Sequence, residues 1–194
     1  MELILSRRQL HYYLKEDRKR NNVSPKWYIY LLQLLIHEDH ACIFHYLNNL
    51  RHCEYHFNNS KNNLYHKLLF YYYKCNLTRL GSKYSIYIRL NTCGYGLRIM
   101  HLSGGGGVRI GALRVGNYCG FNAGVLIGQK DGEENRPIIG DHVAFGPGAK
   151  AFGKLNIGNN VFVAPNAVVT KDIPDNCIIG GIPAKIIKQK LITS

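Results

Sequence analysis

The chain has 194 residues, 25 Lys and Arg against 12 Asp and Glu, and a net charge of +13 at pH 7. That length builds one medium domain, or a small domain with an appendage. Its 46% hydrophobic content is ordinary for a globular protein. No apolar run approaches the ~20 residues of a membrane span; the longest, "WYIYLLQLLI", is half that and runs into charged residues. The opening stretch "MELILSRRQLHYYLKEDRKR" carries acids and lacks a small-residue cleavage site, so it is not read as a secretory signal. The expectation is a soluble, cytoplasmic protein without a membrane span.

Six cysteines (Cys42, Cys53, Cys75, Cys93, Cys119, Cys177) stand far apart with no C-x-x-C pair. That spacing argues against a zinc module and for isolated thiols in a reducing compartment. The first 90 residues hold 14 basic and 6 acidic side chains, the remainder 11 and 6. A basic surface suits polyanions, including phosphate-bearing cofactors. No nucleic-acid motif accompanies the charge, so nucleic acid is not an expected partner.

In chain order, "RRQLHYYLKEDRKR" predicts a short helix. "SPKWYIYLLQLLIHEDHACIFHYLNNLRHCEYHF" predicts a long one, with Ser24 as N-cap, Pro25 at the first helical position, and apolar residues recurring at three and four. His37 and His40 in "HEDH" would share that helix, where a solvated or packed face outweighs a metal pair. "NNSKNN" breaks the pattern. "LYHKLLFYYYKCNLTRLG" predicts another helix, ended by Gly81.

From Val115 the period changes to six. Cut from Ile139, the sequence reads IGDHVA, FGPGAK, AFGKLN, IGNNVF, VAPNAV, VTKDIP. All first positions (Ile139, Phe145, Ala151, Ile157, Val163, Val169) and all fifth positions (Val143, Ala149, Leu155, Val161, Ala167, Ile173) are apolar. Val115, Phe121 and Ile127 fall on the same phase. Two inward side chains per six residues fit a short strand and a tight corner, and three such units close one triangular coil. Stacked coils then bury a continuous column of side chains.

These hexads, with the closing "VVTKDIPDNCIIGGIPAKIIK" and its Gly-x-Pro-Ala-Lys exit, resemble the hexapeptide-repeat acyltransferases. The order of helices, then "GYGLRIMH", then hexads is similar to serine acetyltransferases and to their relatives in capsule and exopolysaccharide clusters. The resemblance implies an α+β chain: helical residues 1–85, a left-handed parallel β-helix over 86–178 with a protruding loop at 129–138, and a closing segment at 179–194. It further implies acetyl-CoA as donor, a hydroxyl acceptor, no metal, and a homotrimer with active sites between neighbouring β-helices, with the N-terminal helices available for further subunit contacts and a higher assembly.

Acyl transfer to an alcohol needs a base to take the hydroxyl proton, and histidine is suited to it near neutral pH. His101 matches the family's catalytic histidine. The glycines Gly104–Gly107 after it would leave room for a ligand beside the base. The family's orienting aspartates have no counterpart along the β-helix: the upstream place falls near Ile86, and Met100 precedes His101. In the loop "IGQKDGEENRPIIG", Arg136 precedes Pro137 where the family carries a second histidine. Arginine clamps carboxylates or phosphates. Arg136 and Asn122 are the expected acceptor contacts. Gly146 and Ala164 are expected along the pantetheine arm, with Lys150, Thr170, Lys171 and Lys185 toward the phosphates and adenine.

The preferred acceptor is a hydroxyl of a capsular or exopolysaccharide sugar or precursor. The alternative is L-serine, as in cysteine biosynthesis; a further alternative is a β-helix scaffold without catalysis. A metal-dependent carbonic anhydrase on the same fold would need three histidines, and residues 91–194 contain only His101 and His142.

Overall fold

The computed structural model describes residues 2–61, 63–102 and 107–190. Four helices come first: α1 (Arg7–Arg20), α2 (Trp27–Leu35), α3 (Asp39–Asn58) and α4 (Leu64–Tyr84). A parallel β-helix follows.

The capping box of α1 is complete. Ser6 Oγ accepts from the Gln9 N–H, and the Gln9 side chain accepts from the Ser6 N–H at 3.0 Å. The predicted long helix is two helices. Lys26, not Ser24, stands at the N-cap of α2, and Ser24 Oγ instead accepts from the Lys26 N–H at 3.3 Å. The chain leaves the helix at Ile36 and turns at His37, whose φ is +57°. Glu38 then caps α3, accepting from the Ala41 N–H at 2.9 Å. His37 and His40 therefore do not share a helix. The apolar period missed this break because a strong local cap costs no apolar position. Gly81 lies inside α4, which ends at a left-handed Ser85; an isolated glycine was tolerated where packing against α3 holds the helix.

The β-helix has three faces. The first stacks β1 (Ile86–Ile88), β3 (Val108–Ile110), β6 (Leu126–Gly128), β9 (Lys150–Phe152) and β12 (Val168–Val169). The second stacks β4 (Arg114–Val115), β7 (Ile138–Ile139) and β10 (Asn156–Ile157), extended by bridges at Cys93 and Ile173. The third stacks β2 (Arg98–Met100), β5 (Gly120–Asn122), β8 (Ala144–Phe145), β11 (Phe162–Val163) and β13 (Cys177–Gly180). The closing strand β14 (Lys185–Gln189) pairs antiparallel with β13. Every other pairing is parallel, as a coil that always advances one way requires.

All the apolar hexad positions named above are buried, none more than 8% exposed. They form one core with Ile43, Leu47 and Leu50 of α3. Phe121 and Phe145 stack at 5.4 Å because they hold the same place on consecutive coils. Each buried aliphatic side chain contributes about 1.5–3 kcal/mol of transfer free energy.

The glycine at many second positions has a specific cause. Where the second face turns to the third, Asp141 Oδ1 accepts from the Asn117 N–H at 2.7 Å, Asn159 Oδ1 from Asp141 N–H at 2.8 Å, and Asp175 Oδ1 from Asn159 N–H at 2.6 Å. This ladder draws successive corners together. A Cβ at Gly140 would stand 2.9 Å from the backbone of Gly158, so only glycine fits.

Two corners break the spacing. Strands of the first face begin at residues 86, 108, 126, 150 and 168. The regular step is 18, but 86 to 108 is 22 and 126 to 150 is 24. The surplus lies in residues 101–107 and 129–137, the two stretches singled out for chemistry.

Candidate active site

His101 ends the first passage along the third face and opens the corner that leads to the first face. Its backbone is left-handed, with φ +65°, and its side chain is exposed. An exposed imidazole is reachable by an acceptor. Gly104, Gly105 and Gly106 lie outside the described residues. Gly107 has a packing cause: its backbone passes against Ser85, whose carbonyl accepts from the Val108 N–H at 2.9 Å, and a Cβ would collide with it.

The strand that carries His101 is an edge strand, and its outer backbone groups are claimed by helical side chains. Asp17 Oδ1 accepts from the Leu97 N–H at 2.9 Å. Asn21 Nδ2 donates to the Leu97 carbonyl at 2.7 Å, and Asn21 Oδ1 accepts from the Ile99 N–H at 3.3 Å. An uncovered edge would leave these groups unpaired. Arg51, fully buried, ties the assembly together. Its Nε donates to Asp17 at 2.8 Å, and its Nη1 to Glu54 at 3.0 Å and to the Cys93 carbonyl at 2.9 Å. Its Nη2 donates to the Gly94 carbonyl at 2.6 Å. Burial opposes the charge on Arg51, but Asp17 and Glu54 outweigh it and hold the guanidinium above its ordinary range. Burial raises the carboxyls of Asp17 and Glu54 despite the arginine.

A carboxylate does reach the residue after His101, from a source the hexad count did not reach. Asp39, in the first turn of α3, accepts from the Leu102 N–H through Oδ2 at 3.2 Å. Search along the coil missed it because the helical half folds over the first coil and delivers the residue from 62 positions upstream. The available signal was the acidic pair Glu38–Asp39 within "HEDH", of which Glu38 caps α3 and Asp39 reaches the first coil.

Below His101 the third face ends in a strip of small residues. Met100 pairs with Asn122, and Phe121, Phe145, Val163 and Ile179 are partners in register. The next residues, Asn122, Gly146, Ala164 and Gly180, therefore fall in one column. Asn122 Nδ2 lies 3.7 Å from Met100 Sδ. A Cβ at Gly146 would approach Pro165 N to 2.7 Å. The strip offers an extended ligand a path with little side-chain bulk. Lys150 starts the next strand around this corner, its Nζ donating to the Gly148 carbonyl at 3.1 Å. Lys185 pairs with Gly180 at the strip's foot.

Thr170, Lys171 and Arg136 lie elsewhere. Thr170 and Lys171 follow β12, where the chain leaves the first face toward the second. Arg136 lies in the 129–137 loop, which leaves at that same corner. One chain thus sets His101, Asn122, Gly146, Ala164, Lys150 and Lys185 along one edge of the first face. Arg136, Thr170 and Lys171 lie along the opposite edge. Arg136 is 7% exposed, donating to Glu133 at 3.0 Å and to Gln129 at 3.2 Å.

Five of the six cysteines are buried. Burial pushes the Cys53 and Cys119 thiols up to about 12 and Cys93 well above its ordinary value, so they stay protonated. Among the described residues no group of three or more His, Cys, Asp or Glu is arranged to hold a metal. No helix described is long and apolar enough to cross a membrane.

Comparison with known proteins finds the same architecture. No family model matches the chain. Serine acetyltransferase of Synechococcus elongatus is 38% identical over 97 residues, 48% of this chain and 38% of that relative. Serine acetyltransferase of Mycobacterium tuberculosis is 36% identical over 86 residues, 43% of this chain and 38% of that relative. The crystal structure of Neisseria gonorrhoeae serine acetyltransferase in complex with serine superimposes with a TM-score of 0.66 at 27% identity, covering 94% of this chain and 71% of that one. The chain is thus similar to serine acetyltransferases in sequence over about half its length and in fold over most of it. The Brucella abortus enzyme in complex with coenzyme A, 20% identical, shares the fold with a TM-score of 0.64, covering 96% of this chain and 71% of that one. The sequence matches span about two fifths of the curated relatives' length. The helices-then-β-helix architecture predicted from the sequence is shared with these solved structures.

Proposed function

We propose that this protein is an acetyl-CoA-dependent O-acetyltransferase with His101 as general base. The observation that carries the reading is the exposed His101 at the head of the Asn122–Gly146–Ala164–Gly180 strip. Acetyl-CoA supplies an acyl group activated as a thioester. The strip receives the pantetheine arm, and Lys150 and Lys185 sit where phosphates would be neutralised. His101 takes the acceptor's hydroxyl proton as that oxygen attacks the carbonyl carbon. It returns the proton to the departing sulfur, leaving an acetyl ester and a free thiol. Asp39 positions His101 by holding the Leu102 N–H.

The acceptor proposed first is L-serine, because the relatives found are serine acetyltransferases. That reverses the preference drawn from the sequence, where the missing aspartates and Arg136 pointed to a sugar. Asp39 removes part of that argument. The sugar reading keeps one observation, the arginines gathered around Arg136. The homotrimer belongs to the same proposal: with His101 and Arg136 on opposite edges, a site using both is completed by a neighbouring copy.

The test is thiol release from acetyl-CoA, with and without L-serine, in wild type and His101→Ala. The expected result is serine-dependent release that falls about 10²–10⁴-fold in the variant. Binding of acetyl-CoA without a serine effect would favour the sugar acceptor. Absence of acetyl-CoA binding would favour the scaffold.

A further inference from the structure

Between Glu54 and Asp131 the sequence has no acidic residue and ten Lys and Arg. The stretch includes all of α4, so that helix carries Lys67, Lys74, Arg79 and Lys83 with no carboxylate along its own length to pair them. Among the described residues none of these four, nor Lys61 just before the helix, forms a salt bridge. Helix position decides what α4 shows to the outside. Phe70, Tyr73 and Leu77 turn inward, and the rings of Phe70 and Tyr73 meet Phe57 and His52 of α3. Leu64, Tyr65, Leu68, Tyr71 and Tyr72 recur at steps of one, four, seven and eight, so they form one stripe on the opposite side. These five are 56–71% exposed. Arg79 continues the stripe, and Lys67 and Lys74 lie along its flank.

Large apolar side chains exposed singly need no explanation, but five in one line mark a surface that something covers. The composition of the stripe decides what. Docking α4 on α4 of a second copy would bring the same cations together with no acid between them, and like charges oppose that contact. A polynucleotide would satisfy the cations and leave Leu64 and Leu68 in water. The boundary between the headgroups and acyl chains of a bilayer accepts the whole set. Leucines enter the acyl region, tyrosine rings lie at headgroup depth with their hydroxyls wet, and lysine stems carry their charge out to anionic headgroups.

We propose that the outer stripe of α4 docks this protein onto the surface of an anionic phospholipid membrane. The helix lies along that surface and does not cross it, because its inner side stays packed on α3. Two contributions act together. The cations are drawn to the negative surface potential, an attraction that salt screens. Leu64 and Leu68 bury apolar area, a contribution that salt leaves in place. The inference does not depend on acetyl transfer, because docking is read with neither acetyl-CoA nor acceptor present.

The experiment is co-sedimentation of the full chain with vesicles of phosphatidylcholine alone and of phosphatidylcholine mixed with phosphatidylglycerol. Wild type is expected to sediment with the mixed vesicles and not with the neutral ones, and to leave them as salt rises from about 0.05 to 0.5 M. Lys67→Gln combined with Lys74→Gln is expected to weaken partition about thirtyfold, the loss of two charges near an anionic surface. Leu68→Gln is expected to weaken it about tenfold or more at low salt, with Tyr72→Gln as a second probe of the same stripe. All four positions are exposed, and thermal melts followed by circular dichroism check that each variant folds. No sedimentation with the mixed vesicles at low salt overturns the proposal, as does equal sedimentation with the neutral ones. Unchanged partition in both the lysine and the stripe variants also overturns it. Sedimentation velocity without lipid supplies the last arm: a smaller assembly in Leu68→Gln than in wild type assigns the stripe to a second copy and overturns membrane docking.

Discussion

Arg51→Met tests how the helical half holds the catalytic corner. The substitution keeps a long unbranched side chain but removes every donor. Two carboxylates lose their countercharge, Asp17 at 0% and Glu54 at 1% exposure, and the carbonyls of Cys93 and Gly94 lose their hydrogen bonds. Removing one partner from a buried pair costs about 3–5 kcal/mol, because the remaining charge has no compensation. Whole domains are stable by about 5–15 kcal/mol, so the variant sits near the threshold of folding. At a urea slope of about 2 kcal/mol/M, the midpoint falls by about 1.5–2.5 M. The assay is urea unfolding followed by circular dichroism. A second variant, Arg51→Met with Asp17→Asn and Glu54→Gln, removes the orphaned charges and is expected to recover part of the loss. A drop below about 1 kcal/mol in the single variant, with unchanged slope, would refute the claim that this cluster anchors the first coil.

Two further outcomes follow from named contacts. Asp39→Asn keeps an acceptor for the Leu102 N–H but removes the charge one residue past His101; if that charge assists the base, the pH profile of thiol release shifts while stability to urea stays within about 0.5 kcal/mol of wild type. His56, on α3, has its pKa lowered to about 4 by burial first and then by His66 and His52. Its Nδ1 meets His66 Nδ1 at 2.8 Å, a contact with room for one shared proton. Between about pH 4 and 6.5 the unfolded chain binds the proton and the folded chain does not, so stability falls as pH drops through that window. Melting temperature measured from pH 7 down to 5 should decline, and His56→Gln should flatten the slope; an equal slope in the variant would assign the effect to other groups.

The β-helix was legible in the sequence because its physics is local and repetitive. An inward position recurs every few residues, so burial writes itself into the period, from Ile139 through Ile173. The same period exposes its own interruptions at 101–107 and 129–137. The strip of Asn122, Gly146 and Ala164 follows from that register once the coil is closed. The helical half was legible only as helices. Its break at His37 depends on Glu38 capping α3, a one-residue event that leaves the apolar pattern intact.

What tertiary structure alone decided is which residues meet across long separations. Arg51 is 34 positions from Asp17 and 42 from Cys93, and Asp39 is 63 from Leu102. No spacing rule connects them; they meet because α1 and α3 must cover the open first coil, whose edge backbone needs partners. Arg89, Arg109 and Arg136 are scattered charges in the sequence and line one trough only when parallel strands bring positions 17 to 24 residues apart into register and the 129–137 loop folds beside them.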